Sequence, residues 1–335
     1  MPLLLQPAGT DLIIKPEAVG ICGSDFSYYC KCNIGGMDLP FPEVHDTRFG
    51  GILGHECSGT VLKVGAAVAD KFSVGDRVAI EPGTPCGACA RCREGRYNLC
   101  PDMRFLGSFM SNYPGALRTK MAHPAEMCYK IPDHVSFEEA AMLEPMAVAT
   151  QAVKRGQIKM GDKVLIAGAG PVGFLTMLIA KAAGATRIGL TDINENRLKF
   201  AKDYGAGNNC ETYDVTKEGV VDSIADDYDI AVDCTGVVSS TKTCIAKCRK
   251  GGTMVLVGMG SQTLDIAPLI NKELDMRGVF RYCNTYPACL ELIATGKIDV
   301  KPMITHHFAL DQINEAITAG LTDPTAIKVI VHPNQ

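Results

Sequence analysis

The stretch Val164-Leu165-Ile166-Ala167-Gly168-Ala169-Gly170-Pro171-Val172-Gly173 decides the fold. A short apolar, β-favouring run ends in glycines, and a helical pattern follows through Phe174–Ala183. This is strand, tight turn and helix, with the glycines spaced G-x-G-x-x-G. Gly168 permits the turn, Gly170 lets a pyrophosphate approach the backbone, and Gly173 lets helix and strand pack closely. The helix N-terminus offers free N–H groups and a positive dipole end to the phosphates. Arg187-Ile188-Gly189-Leu190-Thr191 reads as a second strand ending at Asp192. An acid about 20 residues past the glycines suits a ribose 2′-hydroxyl and repels a 2′-phosphate, which predicts NAD rather than NADP. The other reading of Asp192 is a cap for the helix expected over 194–204. Further strand-like runs are expected at 229–233, 253–258 and 276–280, with helical runs between them. This alternation predicts an α/β fold with a Rossmann-type doubly wound parallel sheet.

The chain has 335 residues, enough for about two domains. Its net charge of −4 gives no reason to expect nucleic acid or an anionic membrane as a partner. No apolar run reaches the roughly 18 residues of a spanning helix. The start, Met1-Pro2-Leu3-Leu4-Leu5-Gln6-Pro7, is too short for a signal peptide, so a cytoplasmic protein is expected. The fifteen cysteines are odd in number and come without a secretory signal. Reduced thiols and metal ligands are the better reading than a disulfide framework.

Four ligand-bearing motifs lie ahead of the glycine turn. Gly20-Ile21-Cys22-Gly23-Ser24-Asp25 and Gly54-His55-Glu56 bring a thiol, an imidazole and a carboxylate, each beside glycines. A catalytic zinc needs about three protein ligands and one open position, and Cys22, His55 and Glu56 would supply three. Taken singly, Cys22 also reads as a small buried hydrophobe and His55-Glu56 as a solvated loop pair. Cys86-Gly87-Ala88-Cys89-Ala90-Arg91-Cys92, closed by Cys100, places four thiols within fifteen residues. Four thiolates at this spacing make a closed tetrahedral zinc site, structural because no position is left open. Gly83, Pro85, Gly87 and Gly95 let that loop wrap tightly. An iron–sulfur cluster also uses four cysteines, but ferredoxin-type runs are spaced differently. Finally, Glu144 is a lone acid in the apolar run Ala140-Ala141-Met142-Leu143-Glu144-Pro145-Met146. If buried, it must be paired or bound to a metal or its water. A solvated helix end before Pro145 is the alternative.

These motifs occur in the order found in the zinc-containing medium-chain alcohol dehydrogenases, and the chain resembles that family from about Val19 to its C-terminus. Within the family it resembles the sorbitol (polyol) dehydrogenases. Glu94-Gly95-Arg96-Tyr97-Asn98-Leu99, Cys128-Tyr129-Lys130-Ile131-Pro132-Asp133 and Gly278-Val279-Phe280-Arg281-Tyr282-Cys283-Asn284-Thr285 carry this resemblance, the last most specifically. The resemblance implies a GroES-like, mainly-β catalytic domain over 1–147, to which 278–335 returns, and an NAD-binding Rossmann domain over 148–277. The two would close over a cleft holding zinc and nicotinamide. It implies zinc ligation by Cys22, His55 and Glu56, with Glu144 holding a zinc-bound water beside the substrate. Ser24 would relay protons, Asp25 would orient the ligand histidine, and Tyr28, Arg281 and Tyr282 would contact substrate. Gly168, Gly170, Val172, Gly173, Asp192, Arg197, Val257, Gly258, Met259, Val279, Phe280 and Arg281 match cofactor positions. The expected partner is a small polyol, and the expected assembly a homotetramer.

The chemistry is also readable without the family. A secondary alcohol is very weakly acidic, so hydride cannot leave until the oxygen bears negative charge, and zinc provides for that. A threonine-type or simple alcohol dehydrogenase is the nearest alternative, and Arg281-Tyr282 favours polyols over it. A non-enzymatic zinc- and nucleotide-binding protein would not need Cys22, His55, Glu56 and Glu144 together.

Two stretches depart from the family pattern. Tyr29–Gly51 is longer than usual and carries Cys30, Cys32 and His45, which suggest either a surface insertion or a further metal site. Ahead of Cys22, Leu12–Ile14 is one short strand candidate. Pro16 removes a donor, so a second strand fits poorly there and one strand is expected to be missing, with a loss of stability.

Overall fold

A computed structural model describes residues 6–31, 33–34, 37–38, 51–108, 111, 113–206, 210–260 and 263–335. The side chains of Cys30, Cys32 and His45 lie outside the described residues, and so does the metal site suggested for them. Met1–Glu144 together with Cys283–Gln335 forms one compact unit, and Pro145–Tyr282 forms the other.

In chain order, the first unit opens with β1 (Asp11–Gly20) and α1 (Gly23–Lys31). β2 (Glu56–Val64), β3 (Arg77–Ile80), β4 (Met121–Pro124) and β5 (Cys128–Lys130) follow, then α2 (Phe137–Ala141). α3 (Leu143–Gly156) begins where the first unit gives way to the second. The second unit alternates β6 (Lys163–Ala167), α4 (Pro171–Ala182), β7 (Arg187–Asp192), α5 (Glu195–Phe200) and β8 (Cys210–Asp214). β9 (Tyr228–Asp233), α6 (Val238–Lys247), β10 (Cys248–Leu256) and β11 (Asp275–Gly278) complete it. The chain then returns to the first unit with α7 (Tyr286–Ala294), β12 (Ile304–Ala309), α8 (Ile313–Thr322) and β13 (Lys328–His332).

The second unit is the doubly wound sheet that the glycine stretch predicts. Its six strands run in the order β8-β7-β6-β9-β10-β11, every pair parallel. Such strands are covered on both faces and therefore read as continuous apolar runs. Val164, Leu165 and Ile166 are fully buried, as are Ile188 and Leu190. Two expected segments differ. The helix expected over 194–204 is α for one short stretch and then widens into a π turn over Ala201–Ala206. The strand expected over 276–280 ends at Gly278, and Val279 continues it only by donating its N–H to Leu256 O, 2.9 Å.

The first unit is built on a seven-stranded sheet, ordered β12-β13-β1-β2-β3-β5, with β4 also on β1. Its core gathers Leu12, Ile14, Val19, Val61, Val78, Ile80, Leu106 and Met121. The short strand expected over Leu12–Ile14 is longer than that: β1, the one strand among the described residues ahead of Cys22, runs for ten residues straight through Pro16 into the Cys22 turn. Sheet topology explains how. One edge of β1 pairs with β2, with register shifts on either side of Pro16. On the other edge β4 covers Asp11–Ile14 and β13 covers Val19 and Gly20. Pro16 falls between these two ladders, where no N–H is called for. The carbonyls there are taken by side chains, since Asn334 Nδ2 donates to Pro16 O at 2.8 Å and His332 Nδ1 to Glu17 O at 2.9 Å.

Candidate active site

The end of β1 sets the first ligand. Gly20 leads into Ile21 and Cys22, and α1 then starts at Gly23. Gly20 has no room for a side chain, because a Cβ there would lie 2.2 Å from a Glu56 carboxylate oxygen. Asp25, in the first turn of α1, is fully buried and accepts hydrogen bonds from Cys22 N–H (2.9 Å) and Gly54 N–H (3.3 Å). It thereby ties the two ligand-bearing turns together. Asp25 Oδ1 also lies 3.8 Å from His55 Nδ1, the position of a carboxylate that orients a ligand histidine. The ligand atoms of Cys22, His55 and Glu56 all lie within 4.8 Å of one another. His55 and Glu56 are buried, Cys22 partly so. Burial alone would depress the His55 pKa, but the charges of Asp25 and Cys22 facing it override this and raise it to about 10. The pocket therefore favours positive charge, and thiolate, imidazole and carboxylate are the donors that suit zinc.

Glu144 sits in the first turn of α3 and is buried. The solvated helix end before Pro145 is thus ruled out: Pro145 is accommodated in the first turn, where helices tolerate proline. Ser24 and the buried Tyr28 lie on α1 with Asp25. The sequence reading missed Lys328. Its Nζ, on β13, donates to both Glu56 oxygens at 2.8 and 2.6 Å and to Ile21 O at 3.1 Å. Burial acts to lower the Lys328 pKa, but the Glu56 carboxylate outweighs it and the net shift is upward. The only sequence signal was a lone lysine in the apolar run Ile327–Val331.

The four-cysteine lobe also closes. The sulfurs of Cys86, Cys89, Cys92 and Cys100 lie within 4.8 Å of one another. Cys86 N–H donates to Cys100 Sγ (3.3 Å) and Cys89 N–H to Cys86 Sγ (3.4 Å), contacts that favour thiolates. The N–H groups of Ala88 and Cys89 lower the Cys86 pKa to about 7, whereas burial pushes Cys92 up to about 12. This donor set fits a four-coordinate zinc. The three polyol-like stretches converge beside it. Buried Glu81 accepts from Tyr97 OH and Tyr129 OH, both at 2.7 Å. Tyr97 OH in turn accepts from Asn284 N–H at 2.8 Å, and Asn284 Nδ2 donates to Gly95 O at 2.8 Å.

In the second unit, Gly168 ends β6 with φ +99°, the left-handed region that favours glycine. Gly170 caps α4, with Pro171 in its first turn. A Cβ on Gly173 would stand 1.7 Å from Gly168 O, so only glycine closes this turn. Asp192 ends β7. Its Oδ2 accepts from Ala169 N–H at 2.6 Å, beside the glycines, and its Oδ1 from Asn194 N–H at 2.8 Å. The α5 cap is Asn194 itself, which accepts from Asn196 and Arg197 N–H, so the capping alternative for Asp192 falls. Arg197 Nη1 lies 3.8 Å from where a Gly170 Cβ would sit, and its Nε is buried with no hydrogen-bond partner among the described residues. A glycine cradle beside a buried donor in need of an acceptor fits a dinucleotide phosphate. Val172 lies in the first turn of α4, and Val257, Gly258 and Met259 follow β10, with Val257 and Gly258 N–H both donating to Asp233 O. Val279, Phe280, Arg281 and Tyr282 follow β11. Arg281 stacks on Phe280 at 4.9 Å and has φ +51°, while Tyr282 is buried.

Residues 8–133 match the alcohol dehydrogenase GroES-like domain family and residues 171–295 the zinc-binding dehydrogenase family. Sorbitol dehydrogenase of Arabidopsis thaliana is 41% identical, over 98% of this chain and 90% of the relative. L-idonate 5-dehydrogenase of Vitis vinifera is 39% identical over the same shares of both chains. The crystal structure of 2R,3R-butanediol dehydrogenase from Bacillus subtilis superposes with a TM-score of 0.84 at 30% identity, over 98% of this chain and 94% of that one. The chain therefore belongs to the zinc-containing medium-chain alcohol dehydrogenases, oxidoreductases that use zinc and a nicotinamide dinucleotide. Within that family it is similar to the sorbitol dehydrogenases.

Proposed function

We propose that this chain oxidises a secondary hydroxyl of a polyol such as sorbitol or xylitol to the ketone, passing hydride to NAD. The observation that carries this reading is the Cys22–His55–Glu56 cluster, with buried Glu144 in the same unit and close enough for its charge to act on His55 and Lys328. Zinc, when bound there, acidifies the alcohol as a Lewis acid, and NAD accepts the hydride. The protein's own groups do the rest. Asp25 orients His55, and Lys328 holds Glu56 in place and balances its charge. Ser24 and Glu144 carry the hydroxyl proton away through water. Tyr28, Arg281 and Tyr282 hydrogen-bond the remaining hydroxyls. Cys86, Cys89, Cys92 and Cys100 hold a second, structural zinc. Gly168, Gly170, Val172, Gly173, Arg197, Val257–Met259 and Val279–Arg281 hold NAD, with Asp192 on the ribose.

The likeness to sorbitol, L-idonate and butanediol dehydrogenases supports a small polyhydroxy substrate. The test is NADH formation across sorbitol, xylitol, ribitol, iditol, L-idonate, 2,3-butanediol, threonine and ethanol. Highest kcat/KM on a polyol is expected, and highest kcat/KM on threonine or ethanol would overturn the reading. We further propose a cytoplasmic homotetramer, the mass of which light scattering would give. No described helix is long and apolar enough to cross a membrane.

A further inference from the structure

Glu138, His307 and His332 form a cluster in the first unit that the proposed chemistry does not use. Glu138 lies in the first turn of α2, His307 on β12 and His332 at the end of β13. The β12–β13 register pairs His307 with Ile330 and Ala309 with His332, so the two histidines are diagonal neighbours on one face of the sheet. Their rings stack nearly parallel, 8° apart with centroids at 6.0 Å. His307 Nδ1 and His332 Nε2 both point at the same atom, Glu138 Oε1, each at 2.9 Å.

The hydrogen bonding at His332 decides what this arrangement needs. Its Nδ1 lies 2.9 Å from Glu17 O, a carbonyl that can only accept, so Nδ1 carries the proton. In the neutral ring Nε2 is then a bare lone pair facing a carboxylate oxygen. The 2.9 Å contact is then held either by a proton on Nε2, as an ion pair, or by a metal ion taken up between the two atoms. A ring nitrogen whose partner N–H is locked on a backbone carbonyl is also the usual setting of a metal-ligating histidine. The ligand atoms of the three side chains all lie within 4.8 Å of one another. Metal bonds of about 2.0–2.2 Å put neighbouring ligand atoms about 2.8–3.1 Å apart at right angles and about 3.3–3.6 Å apart in a tetrahedron, so the 2.9 Å contacts suit the first and a small widening admits the second. Two imidazoles and one carboxylate on a single face match the triad that holds a divalent transition metal with open positions. The His307 side chain is 50% exposed, which leaves room for water ligands and a route in.

We propose that Glu138, His307 and His332 form a third metal site, separate from the Cys22 and Cys86 clusters, that binds a divalent transition metal such as zinc. The bound ion ties α2 to the β12–β13 pair, which lies far along the chain from it, and so stabilises the first unit. The experiment is equilibrium dialysis of the purified, zinc-replete protein against buffered free Zn2+, with zinc counted per chain by elemental analysis and the melting temperature recorded. Wild type should take up one zinc more than His307→Ala and Glu138→Gln, and its melting temperature should rise with zinc where theirs does not. His332→Asn provides a control that keeps an amide donor for Glu17 O while losing the ligand nitrogen, and it should also lack the extra zinc. Equal zinc counts and equal zinc-dependent melting shifts in wild type and His307→Ala would overturn the proposal. So would a lower melting temperature in His307→Ala that is independent of zinc, since the cluster would then be an ion pair only.

Discussion

Lys328 grips the Glu56 carboxylate with one ammonium group, 2.8 and 2.6 Å from its two oxygens, across 272 positions of sequence. Both side chains are almost completely buried. Removing one member of such a pair strands the other charge and costs about 3–5 kcal/mol. Lys328→Met should therefore destabilise the protein on that scale in urea titrations, and Lys328→Arg much less. Metal chelation should widen the gap between wild type and Lys328→Met, because zinc would otherwise share the Glu56 charge. A Lys328→Met protein as stable as wild type in chelator would count against the pairing.

His55→Ala and Cys22→Ala each delete a proposed zinc ligand. Losing several kcal/mol of Lewis-acid stabilisation should lower polyol-dependent NADH formation by about three orders of magnitude or more. NAD binding, followed by calorimetry, should persist, since the proposed dinucleotide residues belong to the other unit. Substantial turnover by zinc-depleted Cys22→Ala would rule out the assignment.

Asp192 is fixed by two backbone N–H groups, which keeps its carboxylate beside the glycine turn. Asp192→Ser removes the charge that would repel a 2′-phosphate. The ratio of kcat/KM for NAD to that for NADP should fall about tenfold or more, or about 1.4 kcal/mol. An unchanged ratio would refute the role.

The cysteine lobe makes a stoichiometric prediction. Cys89→Ala should lose one zinc per chain and melt at a lower temperature, because structural metal binding is coupled to folding. Fully active protein with an unchanged zinc count would exclude a metal in the lobe.

Burial raises the Glu81 pKa above its ordinary 4.5, although two tyrosine hydroxyls act against it. The folded state thus holds this proton more tightly than the unfolded chain does. The stability it contributes is complete below about pH 4.5 and is lost as pH rises through the raised value. Glu81→Gln should remove that slope. Relative to wild type, it should gain stability between pH 5 and pH 8 in denaturant titrations, and a parallel pH dependence would contradict this.

The dinucleotide-binding unit was legible in the sequence because its signals are local. The spacing of Gly168, Gly170 and Gly173 is set by backbone geometry within one strand–turn–helix, and parallel strands buried on both faces advertise themselves as apolar runs. The Cys86 lobe was legible for the same reason, since all four sulfurs lie in one short loop. The Cys22, His55 and Glu56 set was readable as residue types, but its convergence depends on buried Asp25 clasping two turns. Tertiary structure alone decided the rest. Pro16 argues against a strand by local rules, yet β1 passes through it because the neighbouring ladders leave a gap there. Lys328, His307 and His332 carry no local signal of a partner. They meet Glu56 and Glu138 only because the returning chain lays β13 and β12 at the edge of a sheet begun by β1, and pairing between strands distant in sequence is not encoded in either strand by itself.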